Sequence, residues 1–432
     1  MPSTPAFAPI VQTFLPVYRA RYALSPQQAS ACQNILQCHT AKLGCLDYAC
    51  DACARHYPRY PSCRHRHCPQ CQQRASARWA EKRMADVLPA TYFHLVFTLP
   101  HELNPWAQLH PEVIYHALFQ CAWQTLDTYS RRNKQLQGKL GMTAVLHTWG
   151  QNLSQHIHLH CLIPGGALAD DGSWVSTRRD YLYPQRVLAK LFRGKMVSAL
   201  RLAWSSGELH RINDRAQVDR CLTALMAKDW VIHTKPHLNQ AETVVRYLAR
   251  YTHRTAISAS RIVAVDETSV SFKWKDYRDQ QQKIMTLEGS EFLHRFLLHV
   301  LPKGLMRIRH YGFLANRVRV NRLEQIRTSL ATAEAEAECK AAPVYPPPTL
   351  ERCPACGIGH LRLCAIDRPV TARRQTLQKR CRTVAPILPV AQAPATGLLW
   401  ASVRIRFGIF VFGADCRLKQ ASPTQAAHTR KV

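Results

Sequence analysis

The stretch Gln155-His156-Ile157-His158-Leu159-His160, continuing as CLIPGG to Gly166, alternates histidine with apolar residues. Successive strand side chains point to opposite faces, so His156, His158 and His160 share one face while Ile157 and Leu159 turn toward a core. Pro164-Gly165-Gly166 ends the run. A lone strand histidine is usually a packing residue, but imidazoles at period two can hold one divalent metal. Working outward, Gly141–Thr148 (GMTAVLHT) and Tyr92–Leu99 (YFHLVFTL) are further β-rich runs, the latter stopped by Pro100. Asp229–Thr234 is a short strand candidate, and Ile257–Val265 with Val270–Lys275 reads as a hairpin around Asp266-Glu267-Thr268. Helical periodicity predicts helices over Gln73–Leu88, Glu112–Tyr129, Tyr183–Trp204, Gln240–His253 and Glu291–Leu301. The fold class expected is α+β.

The 432 residues leave room for two or three domains with real cores. Lys plus Arg number 58 against 28 Asp plus Glu, a formal net charge of +30. A charge that large captures polyanions, and nucleic acid fits it better than a membrane surface, for which no basic amphipathic helix is evident. No N-terminal signal pattern and no uninterrupted apolar run of spanning length is visible, so a cytoplasmic, soluble protein is expected. Neither a P-loop nor a G-x-G-x-x-G is found, nor a serine or cysteine nucleophile motif, which leaves ATP- and NAD-driven chemistry without support.

Seventeen cysteines, several in C-x2-C pairs beside histidine, suit metal binding better than disulfides. Cys50-x2-Cys53 and Cys68-x2-Cys71 have the spacing of a zinc ribbon, two knuckles supplying two thiolates each to one tetrahedral ion. Cys63, His65 and His67 inside the loop, and Cys38, His39 and Cys45 before it, could replace a ligand or build a second site; the alternative is that each is a surface or packing residue. Arg64 and Arg66, among other cations and Tyr57 and Tyr60, give the mixture that phosphate contacts and base stacking require.

Tyr247 and Tyr251 lie four apart in Arg246-Tyr-Leu-Ala-Arg-Tyr-Thr-His-Arg254. On a helix they share a face, about 6 Å apart at the base of the side chains. By itself such a pair reads as packing. Beside the histidine run it reads as nucleophile plus Lewis acid, with a metal polarising a scissile phosphate and a tyrosine forming a phosphotyrosine. Arg246, Arg250 and Arg254 stand next to the pair for neighbouring phosphates.

His158-Leu159-His160 resembles the HUH motif of rolling-circle nucleases. HTWGQ at 147–151, HIHLHCLIPGG at 156–166, YLARYTHRTAIS at 247–258, LLHVLPKGLMRIRHYGFLANR at 297–317 and SCRHRHCPQCQ at 62–72 together resemble bacterial insertion-sequence transposases of family ninety-one. The resemblance runs from about residue 26 to 320. It implies a zinc-ribbon head and an HUH nuclease whose antiparallel sheet carries the histidine strand centrally, with Tyr247 and Tyr251 as catalytic tyrosines on an adjacent helix. It also implies Mg or Mn at His158, His160 and a third ligand, for which Gln151 is the candidate with His156 and His147 behind it; paired imidazoles alone would favour Zn. Rejoining through phosphotyrosine would need no ATP, and the DNA partners would be single-stranded element ends and a target.

The expected organisation is an irregular segment 1–25, a zinc-binding ribbon plus basic helix 26–88, a nuclease domain 89–320, and a linker and poorly specified basic tail 321–432. Within that tail Cys353-x2-Cys356 looks like a late knuckle without a clean second pair. Two other functions remain open from sequence: a plasmid or phage replication initiator with the same chemistry, and a catalytically inactive zinc-dependent DNA-binding protein. A zinc hydrolase would leave the tyrosine pair and the basic charge unexplained.

Overall fold

The computed structural model describes residues 7–72, 86–133, 138–177, 184–238, 255–333 and 351–367, with 76, 79, 81, 83, 84 and 136. In chain order the elements are α1 (Phe7–Arg21), α2 (Pro26–Gln37), β1 (Cys45–Cys50), β2 (His56–Arg59), β3 (Tyr92–Thr98), α3 (Asn104–Leu109), α4 (Pro111–Arg132), β4 (Gly141–Trp149) and β5 (Gln155–Pro164). There follow β6 (Gly166–Leu168), β7 (Trp174–Ser176), α5 (Gln185–Ser205), α6 (Arg215–Ala227), β8 (Ile232–Leu238), β9 (Ile262–Val265), β10 (Ser269–Lys275), β11 (Gln282–Glu288), α7 (Gly289–Leu297), β12 (Ile308–Gly312), α8 (Arg319–Ala333) and β13 (Leu361–Asp367).

A five-stranded antiparallel sheet of order β12-β4-β5-β3-β8 organises the main body, with the histidine strand β5 in the middle. Its two faces follow from strand alternation. Phe93, Leu95 and Phe97 of β3, Met142, Ala144 and Leu146 of β4, and Ile157, Leu159, Cys161 and Ile163 of β5 fall on one face. That face packs on the buried stripes of α4 (Ile114, Leu118, Phe119, Leu126) and α5 (Leu188, Phe192, Met196, Leu200), which recur every three or four residues. The opposite face is the one that carries the histidines.

A second core joins α1, α7 and the small sheet β11-β10-β9. The N-terminal segment, expected to be irregular, is helical: Phe7, Ile10, Val11, Phe14 and Tyr18 form one buried stripe, and Pro16 inside the helix hides that periodicity from a sequence reading. Phe14 approaches Gly289 so closely that a Cβ there would lie 2.1 Å from its ring. The structure thus ties residues before 26 to residues near 290. α2 starts where sequence chemistry says it should, with a capping box between Ser25 and Gln28 and Pro26 in the first turn.

The histidine strand and its two neighbours fall where expected. β8 runs on to Leu238 through Pro236, which an edge strand tolerates, and β12 at the other edge has the charged text IRHYG that conceals a strand. The hairpin around Asp266 forms and gains a third strand, β11. The chain beyond 321 is not uniform tail: α8 continues from Arg319, and β13 returns to pair with β1 in a sheet of order β13-β1-β2. Half of the expected helix over Gln73–Leu88, and the whole of that over Gln240–His253, lies outside the described residues. No helix among the described residues is long and apolar enough to cross a membrane.

Candidate metal centre

The cross-strand register of β4 and β5 sets His147 directly opposite His158 and Val145 opposite His160. Directly paired residues project from the same face, so His147, His158 and His160 converge, with one ring nitrogen from each lying within 4.8 Å of the others. Ring centroids are 5.3 Å apart for His147 and His158, 4.5 Å for His147 and His160, and 4.8 Å for His158 and His160. A register irregularity follows His147, and Trp149 beyond it stacks on the His147 ring at 4.6 Å. Bulges of this kind re-aim side chains beside sites.

Hydrogen bonds assign the tautomers. His158 Nδ1 lies 2.8 Å from the carbonyl oxygen of His156, so its Nδ1–H donates there and the Nε2 lone pair faces the cluster. His160 Nδ1 lies 3.0 Å from Nε2 of His94 on β3. A His160 that binds metal through Nε2 donates its Nδ1–H to His94, the outer-shell pattern of metal-bound imidazoles. His94 is 2 % exposed, and its ring stacks on His160 at an interplanar angle of 13°. Burial, helped by the neighbouring His156, lowers the pKa of His158 to about 4, so the ring is neutral at pH 7 as a ligand must be.

Of the ligands expected at this centre, His158 and His160 come together and Gln151 does not join them. Gln151 sits on the turn beyond the irregularity, where its amide donates to the Tyr277 hydroxyl at 3.2 Å and its carbonyl accepts from Arg261. The third imidazole of the group is that of His147, which strand pairing rather than chain proximity brings to His158. His156 shares the face, and its ring centroid lies 4.9 Å from that of His158, but it is exposed and outside the group of three converging nitrogens. His94 was missed altogether: its signal was period two in YFHLVFTL, but only the pairing of β3 with β5 gives it meaning. Tyr247, Tyr251, Arg246, Arg250 and Arg254 lie outside the described residues.

The expected single ribbon of Cys50, Cys53, Cys68 and Cys71 is corrected: its two knuckles belong to different thiol clusters. Cys68 and Cys71 meet Cys38 and Cys63, with Sγ separations of 3.4 Å (Cys38–Cys71), 3.5 Å (Cys63–Cys71) and 3.7 Å (Cys38–Cys68). A tetrahedral zinc with Zn–S bonds of about 2.3 Å sets its sulfurs about 3.8 Å apart, so this group fits zinc. Hydrogen bonds from Cys63 and Cys68 pull the Cys38 thiol pKa down, toward the thiolate a metal needs. Cys50 and Cys53 meet Cys353 and Cys356 instead. The knuckles part because β1 and β2 carry the first one away toward β13, while the second is seated beneath α2.

Arg66, expected on DNA, is spent internally. Its guanidinium donates to the carbonyls of Leu305, Leu301 and Pro302 at 2.7, 3.1 and 2.5 Å, and the neighbouring His67 accepts the Leu301 N–H at 3.2 Å. These bonds dock the cysteine head on the chain segment before β12. Arg64 is exposed, and its backbone is left-handed with a φ of 55°.

Two family models match the chain. Residues 141–322 match one described as "Putative transposase", and residues 10–99 match one described as "Transposase zinc-binding domain". The "Putative transposase y4qJ" of Sinorhizobium fredii is 41% identical over 386 residues, covering 85% of this chain and 97% of its own length. The transposase for insertion sequence element IS801 of Pseudomonas savastanoi pv. phaseolicola is 27% identical over 342 residues, covering 73% of this chain and 81% of its own. The first match contains β4, β5 and β12; the second contains the whole Cys38, Cys63, Cys68 and Cys71 cluster.

Proposed function

The chain belongs to the insertion-sequence transposases of family ninety-one, and from that premise we propose that it cuts and rejoins single-stranded DNA through a 5′-phosphotyrosine, as an HUH enzyme in rolling-circle transposition. The observation that carries the reading is the convergence of His147, His158 and His160 on one face of the central sheet. Their donor set fits a divalent cation, which when bound supplies Lewis-acid stabilisation of charge developing on a phosphate oxygen. Mg or Mn is the cation of this reading, and Zn competes for the same imidazoles.

The chain's own groups do the rest. His94 holds the proton of His160 Nδ1 and the His156 carbonyl holds that of His158, fixing both rings before metal arrives. In the proposed step the hydroxyl of Tyr247 or Tyr251 gives up its proton as its oxygen attacks the scissile phosphorus, the P–O3′ bond breaks, and the freed 3′ oxygen takes up one proton in exchange. Rejoining is the reverse, with a 3′-hydroxyl attacking the phosphotyrosine. Two tyrosines let one hold a donor strand while the other cuts. Arg246, Arg250 and Arg254 would grip the flanking phosphates, and the net charge of +30 supports capture of the strand.

The test is a denaturation-resistant protein–DNA adduct on labelled single-stranded element ends with Mn or Mg. Wild type, Tyr247→Phe, Tyr251→Phe, the double variant and His158→Ala run side by side. Adduct that needs metal and His158 and vanishes in the double variant is the expected result. DNA binding without adduct on any element end would overturn the nuclease reading and favour a binding protein.

A further inference from the structure

We infer that Cys50, Cys53, Cys353 and Cys356 form a second, composite zinc site that makes residues 351–367 a structural part of the amino-terminal head. The two knuckles lie far apart along the chain: Cys53 and Cys353 are 300 positions apart. Neither matched region contains Cys353 or Cys356. The inference does not depend on the nuclease chemistry.

The geometry is that of a thiolate cage. All four sulfurs lie within 4.8 Å of one another, with Cys50–Cys356 and Cys53–Cys353 both at 3.7 Å. That matches the roughly 3.8 Å edge of a zinc–sulfur tetrahedron. The sulfurs also collect donors. The N–H groups of Ala52 and Cys53 point at Cys50 Sγ, each at 3.4 Å, and the Gly359 N–H points at Cys356 Sγ at 3.4 Å. The Tyr57 hydroxyl lies 3.2 Å from Cys353 Sγ, placed to donate to a thiolate there. Four donors aimed at sulfur favour thiolates over thiols. Gly359 closes the cage, since a Cβ there would sit 2.5 Å from Cys50 Sγ.

The segment is paired to β1 through β13, but the side-chain packing around it is thin. The apolar cluster here is Cys50, Cys353 and Leu361 with three partly buried neighbours, too small a core to fold alone. Arg59 makes a bidentate pair with Glu351, and Asp51 accepts from the His360 N–H and Arg362, but these pairs are exposed and contribute little in water. Beyond Leu361 every residue of β13 is exposed. A metal that fixes both knuckles supplies the missing free energy, and because closure entropy grows only slowly with loop length, the distance along the chain is no obstacle.

The experiment uses the full chain in a His158→Ala background, which weakens zinc binding by the imidazoles. Zinc is counted by elemental mass spectrometry and thiols are titrated in denaturant. Two zincs per chain are expected, falling to one in Cys353→Ser/Cys356→Ser and to one in Cys38→Ser/Cys63→Ser. Hydrogen exchange on the unsubstituted protein covers the case of a variant that does not fold: chelation should raise exchange in 45–59 and 351–367 together. One zinc in the parent, two retained in Cys353→Ser/Cys356→Ser, two disulfides in place of the four thiols, or unchanged exchange on chelation would each overturn the inference.

Discussion

Replacing His147 by alanine should cost the metal centre as much as replacing His158, while replacing Gln151 should cost it little. The ligand atoms of His147, His158 and His160 lie within 4.8 Å of one another. Three imidazole nitrogens bound at about 2.1 Å to one ion, at angles of about 90–120°, lie about 3.0–3.6 Å apart, so a spread of up to 4.8 Å closes with ring shifts of about an ångström or less. The site is therefore nearly preformed, and losing one of three ligands must cost more than losing an outer-shell partner, which lowers affinity about 10- to 100-fold. For His147→Ala we expect at least a 100-fold weaker Mn affinity, about 2.7 kcal/mol, and loss of adduct formation. Because His147 is 3 % exposed, alanine also leaves a void, so His147→Gln serves as the folded control for volume. Gln151→Ala removes one bond to the Tyr277 hydroxyl at the surface and should leave affinity within about threefold. The assay is calorimetric titration of Mn into metal-free protein, with thermal unfolding as a check on folding. A Gln151→Ala variant that loses metal while His147→Gln and His147→Ala keep it would refute the reasoning.

Three more outcomes follow from the same structure. His94→Leu removes the acceptor of His160 Nδ1–H and should weaken Mn affinity about 10- to 100-fold without abolishing it; unchanged affinity would mean that His160 is oriented by something else. Burial lowers the pKa of His299 and His310 to about 4 from 6.5, so the unfolded chain binds their protons first as pH falls. Their contribution to stability is complete above about pH 6.5 and is lost on the way down to about 4, which denaturant titrations from pH 7 to 4.5 on wild type and on His299→Gln will read as a shallower slope in the variant. Arg66→Ala should destabilise the protein by about 2 kcal/mol or more through three lost charged hydrogen bonds while leaving the salt slope of DNA binding unchanged. Arg64→Ala should do the reverse, lowering that slope by about one.

The text from 155 to 166 was enough to place a two-faced strand, because alternation is a local property and Ile157 and Leu159 can bury themselves only by turning the histidines the other way; its central place in an antiparallel sheet was implied by the family resemblance alone. His158 and His160 were legible for the same reason, as were the basic charge and the metal-binding character of the cysteines. What strand pairing and chain return decide was not legible. His147 became a partner of His158 through β4–β5 register, and His94 of His160 through β3–β5, although nothing in the spacing of either histidine distinguishes it from a packing residue. The cysteine spacing suggested one ribbon, but a thiolate pair in a knuckle specifies only half a tetrahedron. The other half is chosen by whichever pair the fold delivers, here Cys38 with Cys63 from nearby and Cys353 with Cys356 from 300 positions away. Arg66 carries the same full charge as Arg64 and could be told from it only by the three carbonyls that surround it. Sequence by itself determined the chemistry on offer, since side-chain type and local periodicity are written residue by residue; tertiary structure alone decided which of those groups meet, since a metal or a guanidinium is satisfied by whatever lies a few ångströms away in space.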